Sequence, residues 1–298
     1  MTVRNIKLIL EYDGTNYSGW QSQTNGTAIQ DVVSKAIQKM VEHTVTVRGA
    51  SRTDAGVHAL AQVAAFETGR TISCGSFLKG LNALLPEDIR VKHCEEVAAV
   101  FHPIRDAQWK EYHYQLEIGE TPSALNRNRA WWVGPVLDVG AREKASRCRI
   151  GEHDFKSFQG PQADTKTTVR RVDQLSLRAQ RSNPSLLPGD CFVGLRPPRN
   201  DTICLQFIAP GFLKYMIRNI VGTLVEVGQG RRAAGEVKTI LESKDRKKAG
   251  GCAPACGLYL VQITYGPFEK SSCHPERSEE SRDSEFTLNE VKGPEILR

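Results

Sequence analysis

The sequence predicts an α+β fold of two similar halves on one largely antiparallel sheet. Strand-like and helix-like apolar periods mix along the chain without the strict alternation of a parallel βαβ sheet. The rhythm of the first half returns in the second. The chain has 298 residues, 40% of them hydrophobic, which is enough for a substantial core.

The elements follow in order. "NIKLILEY" places Ile6, Leu8, Leu10 and Tyr12 on one strand face. The turn "DGTNYSG" leads to a helix whose apolar residues fall at Ile29, Val32, Val33, Ala36, Ile37, Met40 and Val41, with Thr27 and Gln30 as a capping box. "VTVRG" reads as a strand, and a polar turn separates it from a second strand through Val63 to Phe66. A helix with Phe77, Leu78, Leu81 and Leu84 stops at Pro86, and the strand "IRVKH" follows. In the second half, "EYHYQLEI" lines up Tyr112, Tyr114, Leu116 and Ile118. A helix is expected near 138–150, strands near 171–177 and 202–208, then two more helices and the strand "GLYLVQITY". A crevice between two such halves is a natural binding site.

Two stretches depart from this pattern. Residues 178–201, "RAQRSNPSLLPGDCFVGLRPPRND", are rich in proline and arginine where a short hairpin would suffice. The charged, serine-rich residues 268–298 carry few aromatics and read as a disordered tail. The chain therefore divides into an N-terminal half at 1–105, a C-terminal half at 106–267 with an insertion at 178–201, and the tail.

Forty Lys and Arg against 34 Asp and Glu leave a net charge of +6, which permits a polyanionic partner without requiring one. No apolar run approaches the ~20 residues of a membrane span, and the N-terminus alternates like a strand instead of a signal peptide, so a cytoplasmic protein is expected. The eight cysteines are scattered, as for reduced thiols. Cys252 and Cys256, with Cys273 and His274, form a far weaker zinc pattern than two close cysteine pairs, and no metal is expected.

Chemistry concentrates in "GASRTDAGVHAL", where Asp54 stands two residues from Arg52 and two before Gly56. An aspartate can simply hydrogen-bond its own turn. A turn needs neither Arg52 nor His58, which marks both as candidate substrate contacts. The segment "FLKYMIRNIVGTLVEVG" (212–228) is apolar nearly all round and carries Arg218 in its middle. A guanidinium there needs a carboxylate, and Asp54 is a suitable partner that Arg218 would keep ionised. Tyr112 and Tyr114 read as core residues, or as a surface on which a base stacks. Lys110, Arg127, Arg129, Arg170 and Arg171 are candidate phosphate contacts if they cluster beside a cleft.

"GASRTDAGVHALAQVAAF" closely resembles the signature of the tRNA pseudouridine synthases of the TruA type. "EYDGTNYSGWQSQ", "LNALLPEDI", "FHP", "KEYHY", "GEHDFKSF", "FLKYMIRNIVGTLVEVG" and "GLYLVQITY" resemble the family's other blocks in the same order, over about residues 4–177 and 202–266. The resemblance implies a pseudouridine synthase fold: two ferredoxin-like halves share the sheet, with a basic catalytic cleft between them. It also implies a homodimer, no metal or organic cofactor, and action on uridines 38 to 40 in the anticodon stem-loop of tRNA. It makes Asp54 the catalytic aspartate, Tyr112 the active-site tyrosine, Arg218 the partner of the aspartate, and Arg52 a basic residue that assists the flipped nucleotide.

After "FHP" the family pattern has an arginine and then an aromatic, whereas "FHPIRDAQW" displaces the arginine to Arg105. Two rival readings follow from the same residues. A non-catalytic RNA-binding protein would not need Asp54, Tyr112 and Arg218 together, and a carboxylate glycoside hydrolase would normally need a second acid.

Overall fold

The protein's structure, a computed structural model, describes residues 3–135, 137–138, 151–161, 165–180 and 201–266. The helix expected near 138–150, most of the 178–201 insertion and the 268–298 tail lie outside the described residues.

The apolar alternation of the first segment makes it a central strand. Strand β1 (Arg4–Tyr12) buries Ile6, Leu8, Leu10 and Tyr12 and pairs on both edges, with β3 (His58–Thr68) and β4 (Ile89–Val97). In the second half β5 (Trp109–Ile118) buries Tyr112, Tyr114 and Leu116, and pairs with β10 (Asp201–Ala209), which in turn pairs with β9 (Gln174–Gln180). Strand β11 (Leu258–Thr264) runs between β3 and β5, so the sheet reads β4-β1-β3-β11-β5-β10-β9. Its pairings are antiparallel except β11 with β3 and the short β6 (Trp131–Trp132) with β5. The largely antiparallel α+β architecture is thus the one expected. Strands β7 (Gly151–Asp154) and β8 (Val169–Val172) form a separate ribbon, so the stretch near 171–177 belongs to two sheets, divided at Asp173.

Helix α1 (Ile29–Val41) buries Ile29, Val33, Ala36, Ile37 and Val41, and α2 (Cys74–Leu84) buries Phe77 and Leu81. Ser73 caps α2 by accepting from the Ser76 amide. The expected capping box at Thr27 and Gln30 is not formed. The helix instead begins after Ala28, and the amides of Ile29 and Gln30 donate to the carbonyls of Gly19 and Trp20. Tertiary backbone satisfies the free N–H groups, and the Gln30 side chain is used elsewhere, donating to Val47 O at 2.7 Å. Likewise "VTVRG" yields strand only at β2 (Arg48–Gly49), paired to β3.

Helix α3 (Met216–Gly228) starts four residues later than the apolar run. Met216, Ile217, Ile220, Val221, Leu224, Val225 and Val227 are buried, each apolar side chain contributing about 1.5–3 kcal/mol over exposure. Its buried polar residues are satisfied: Asn219 donates to Phe158 O and accepts from Arg246, and Thr223 accepts from the Gly250 amide. Helix α4 (Glu236–Ser243) follows and buries Val237, Ile240 and Leu241. Among the described residues no helix is long and apolar enough to cross a membrane. Met1–Pro267 forms one compact unit.

Gly222 lets α3 touch the 250–253 segment, since a Cβ there would lie 1.8 Å from Gly251 O. Gly222→Ala is therefore expected to cost about 1–3 kcal/mol as an overpacking substitution. Urea unfolding at neutral pH measures it, and an unchanged midpoint would mean that this contact is loose.

Candidate active site

The polar turn between β2 and β3 is held from several sides. Gln62 and Ser51 close a reciprocal pair, the Ser51 amide donating to Oε1 and the Gln62 amide nitrogen to Ser51 O. Thr53 Oγ1 lies 2.8 Å from Tyr12 Oη, and Trp20 donates its amide to Thr53 O. Gly56 adopts φ +76°, which permits the reversal after Asp54. The segment "DGTNYSGW" serves as the cradle: side chains at Gly14 or Gly19 would strike the backbone of Val57 or of Thr53.

On this scaffold the structure brings Asp54 and Arg218 together. Arg218 Nη1 stands 3.3 Å from Asp54 Oδ2, with the side chains 14% and 18% exposed. Arg218 Nε donates to Ala253 O at 2.8 Å, and the guanidinium lies 4.9 Å from the centre of the Tyr215 ring. Burial raises the Asp54 carboxyl above the ordinary aspartate value, and Arg218, assisted by Lys214, opposes that rise without cancelling it. Arg218 thus acts on Asp54 in the expected direction, toward the ionised form, while desolvation is the larger effect at this single contact.

Tyr112 is buried beside them, its ring set edge-on to Phe212 and its hydroxyl 2.8 Å from Ser51 Oγ. Burial pushes its phenol well up. Lys110, two residues away on the same face of β5, donates to Ala50 O at 2.8 Å and reaches Ser51 Oγ at 3.4 Å.

The other candidates separate. Arg52 is exposed and meets no partner among the described residues, so its guanidinium is available at the rim of the turn. His58 is 3% exposed, with Gly14 N and Asp13 Oδ1 each 3.1 Å from Nδ1, Cys256 O 3.1 Å from Nε2, and Tyr259 stacked on its ring. Its ring has no open edge for a substrate, and the imidazole serves to tie the turn to β11. Lys110 is half-buried, and its ammonium bonds to Ala50 O and Ser51 Oγ of the polar turn. Arg127 and Arg129 lie exposed in the loop before β6, while Arg170 and Arg171 bond locally on β8. The displaced Arg105 is bound to Asp106 and Val100 O within its own loop. Cys252 is exposed and Cys256 half-buried, while Cys273 and His274 lie outside the described residues. A hollow of about 270 Å³ lined by Leu60, His113, Gln115, Arg129 and Tyr259 opens on the opposite sheet face from Tyr112.

Two residues of the site escape a reading of motifs. Ser51 has no signature, although its place before Arg52 in the polar turn puts it within reach. Tyr215 occupies a left-handed backbone conformation, φ 60°, that no local pattern announces.

A family model described as tRNA pseudouridine synthase matches residues 8–105 and 145–266. A "tRNA pseudouridine synthase A" of Pelobacter propionicus is 41% identical over 263 residues, covering 88% of this chain and 100% of its own. One of Acetivibrio thermocellus is 42% identical over 264 residues with the same coverage. A chain of the solved Cbf5-Nop10-Gar1 complex matches 85% of this chain and 57% of its own at 10% identity, with a TM-score of 0.29, too remote to bear on the site.

The raised Asp54 carboxyl has a consequence for stability. The folded protein binds that proton more tightly than the unfolded chain, so stability from this group is lost as pH rises through the window above the unfolded value of 3.8. Parent and Asp54→Ala unfolding free energies, measured across that window, should diverge in the parent's favour as pH falls. Divergence the other way would show that Arg218 outweighs burial.

Proposed function

Because the chain belongs to the tRNA pseudouridine synthase family, we propose that it isomerises uridines 38 to 40 in the anticodon stem-loop, with Asp54 as the nucleophilic or proton-abstracting carboxylate. The chain is an isomerase that converts uridine in tRNA to pseudouridine. The observation that carries the assignment to residues is the desolvated Asp54–Arg218 pair beside Tyr112.

The reaction breaks the C1'–N1 bond, turns the uracil and joins C5 to C1'. A stacked uridine must first be flipped out, at a cost of a few kcal/mol that stacking and phosphate contacts recover. Arg52, which is exposed, would contact the flipped nucleotide. Asp54 then begins the chemistry, by attack at C6, attack at C1' or removal of a ribose proton. Its raised basicity favours each of these once it is ionised. Arg218, fixed by Ala253 O, orients the carboxylate before substrate arrives. Tyr112 stacks on the base and receives the C5 proton late in the sequence. His58 takes a structural role in this reading. The reading extends to a cytoplasmic homodimer, and a monomeric mass in solution would remove the dimer.

The test is pseudouridine mapping on an unmodified tRNA transcript with no cofactor added. The parent should modify the anticodon arm, while Asp54→Ala should lose about 10⁴-fold in rate, the upper end for a positioned proton-transfer group, and still bind tRNA. Binding without modification by either protein would favour a non-catalytic RNA-binding role, and release of free uracil would favour hydrolysis.

A further inference from the structure

Any pseudouridine synthase has to dispose of a proton at the end of its reaction. Once C5 has joined C1', C5 carries both the new bond and its hydrogen, and that hydrogen must leave as a proton. Tyr112 is badly suited to take it unaided, because its phenol is already protonated and burial opposes the phenolate. A phenol can accept a proton only while passing its own onward. The structure shows where that proton can go: Tyr112 Oη lies 2.8 Å from Ser51 Oγ, which lies 3.4 Å from Lys110 Nζ.

We propose that Lys110 is the terminal proton acceptor for the C5 proton, reached through Tyr112 and Ser51. This rests on the reading of the site as a pseudouridine synthase centre. In the step, the C5–H bond breaks and its electron pair re-forms the C5=C6 double bond. The proton goes to Tyr112 Oη, the tyrosine's own proton moves to Ser51 Oγ, and the serine's moves to the lone pair of Lys110 Nζ. Uracil N1 takes a proton from solvent, so the product has the composition of uridine. Tyr112 remains a neutral phenol throughout.

The setting of Lys110 suits an acceptor better than a permanent cation. Its strand neighbours are Ala209 on β10 and Ile263 on β11, and no carboxylate pairs with it among the described residues. The titratable groups near this chain are Tyr112, Asp54, which acts on Tyr112 electrostatically, and Tyr12, held by Thr53. Burial lowers the ammonium to about 8, so neutral amine is present near neutral pH. When protonated, the ammonium is retained by Ala50 O and Ser51 Oγ until it returns the proton to water.

Lys110→Arg and Ser51→Ala should be assayed on tRNA whose target uridines carry hydrogen, deuterium or fluorine at C5. An arginine keeps the charge but cannot accept a proton. Each variant should lose about 10²-fold or more in kcat on uridine, with little change in KM. Each should also show a larger C5 deuterium isotope effect than the parent, because deprotonation has become limiting. Both should rearrange 5-fluorouridine tRNA at the parental rate, since fluorine leaves no C5 proton to remove, and this also establishes that they are folded. Parental kcat in Lys110→Arg would overturn the proposal, as would an equal loss on uridine and 5-fluorouridine with no added isotope effect. A parent that makes no pseudouridine would instead overturn the underlying reading of the site.

Discussion

The segment from Ala253 to Leu260 is the tie on which the site depends. It meets three elements that are remote in sequence. Ala253 exchanges hydrogen bonds with Arg218 of α3, its carbonyl accepting from Nε and its amide donating to the backbone oxygen. Pro254 O accepts from Tyr114 of β5, and Gly257 sits so close to that ring that a Cβ would lie 2.7 Å from it. Cys256 O faces His58, and Tyr259 and Leu260 pair with the start of β3. The parallel contact between β11 and β3 spans two residue pairs, so side chains reinforce what a short ladder could not hold alone. Through this one segment the Asp54 turn, the tyrosine strand and the arginine helix acquire a common frame. The sites of a uridine isomerase, which must retain a detached base, benefit from such rigidity.

Within that frame the electrostatics are a compromise. A fully exposed Asp54 would be a weak base, and a bidentate arginine would make it weaker still by stabilising its charge. The structure uses partial burial and a single 3.3 Å contact, while the other side of the guanidinium is engaged by Ala253 O. The carboxylate is consequently oriented without being neutralised. The residual cost appears as the upward displacement of its proton affinity, which is strain of the kind that functional sites carry.

Much of this was legible in the sequence because it followed from periodicity and charge. Strands β1 and β5 and helices α1 and α2 appear where alternation and the helical period place them. Arg218 announces itself as a guanidinium on a largely apolar helix, a situation that demands a carboxylate, although the partner lies 164 residues away. The failures have equally physical causes. Thr27 and Gln30 match a capping box, but the carbonyls of Gly19 and Trp20 reach the helix first. His58 looks like a site residue because it is polar and close to Asp54, yet local sequence cannot show that Asp13, Gly14 and Cys256 enclose it. Lys110 reads as a surface charge when composition guides the reading, whereas its parity with Tyr112 and Tyr114 on β5 places it on the inward face.

Tyr215 illustrates what local sequence cannot carry. A bulky residue at φ 60° is costly, and the surroundings must over-determine it. They do so from two directions. Gly160 opens the space for the ring, since a Cβ there would lie 2.1 Å from it, and the Gly160 amide bonds to Lys214 O just before the strained residue. The ring then lies 4.9 Å from the Arg218 guanidinium carbon and 5.4 Å from the Lys214 ammonium. The left-handed Tyr215 is the cap residue before the helix begins at Met216, and its ring faces the arginine three residues on. Strain at one backbone position thereby restricts the guanidinium that faces Asp54, adding a cation–π contact to the hydrogen bond that Nε donates to Ala253 O. Preorganisation of the carboxylate is therefore built from outside the polar turn, by a glycine and a tyrosine whose sequence neighbourhoods show no sign of the task.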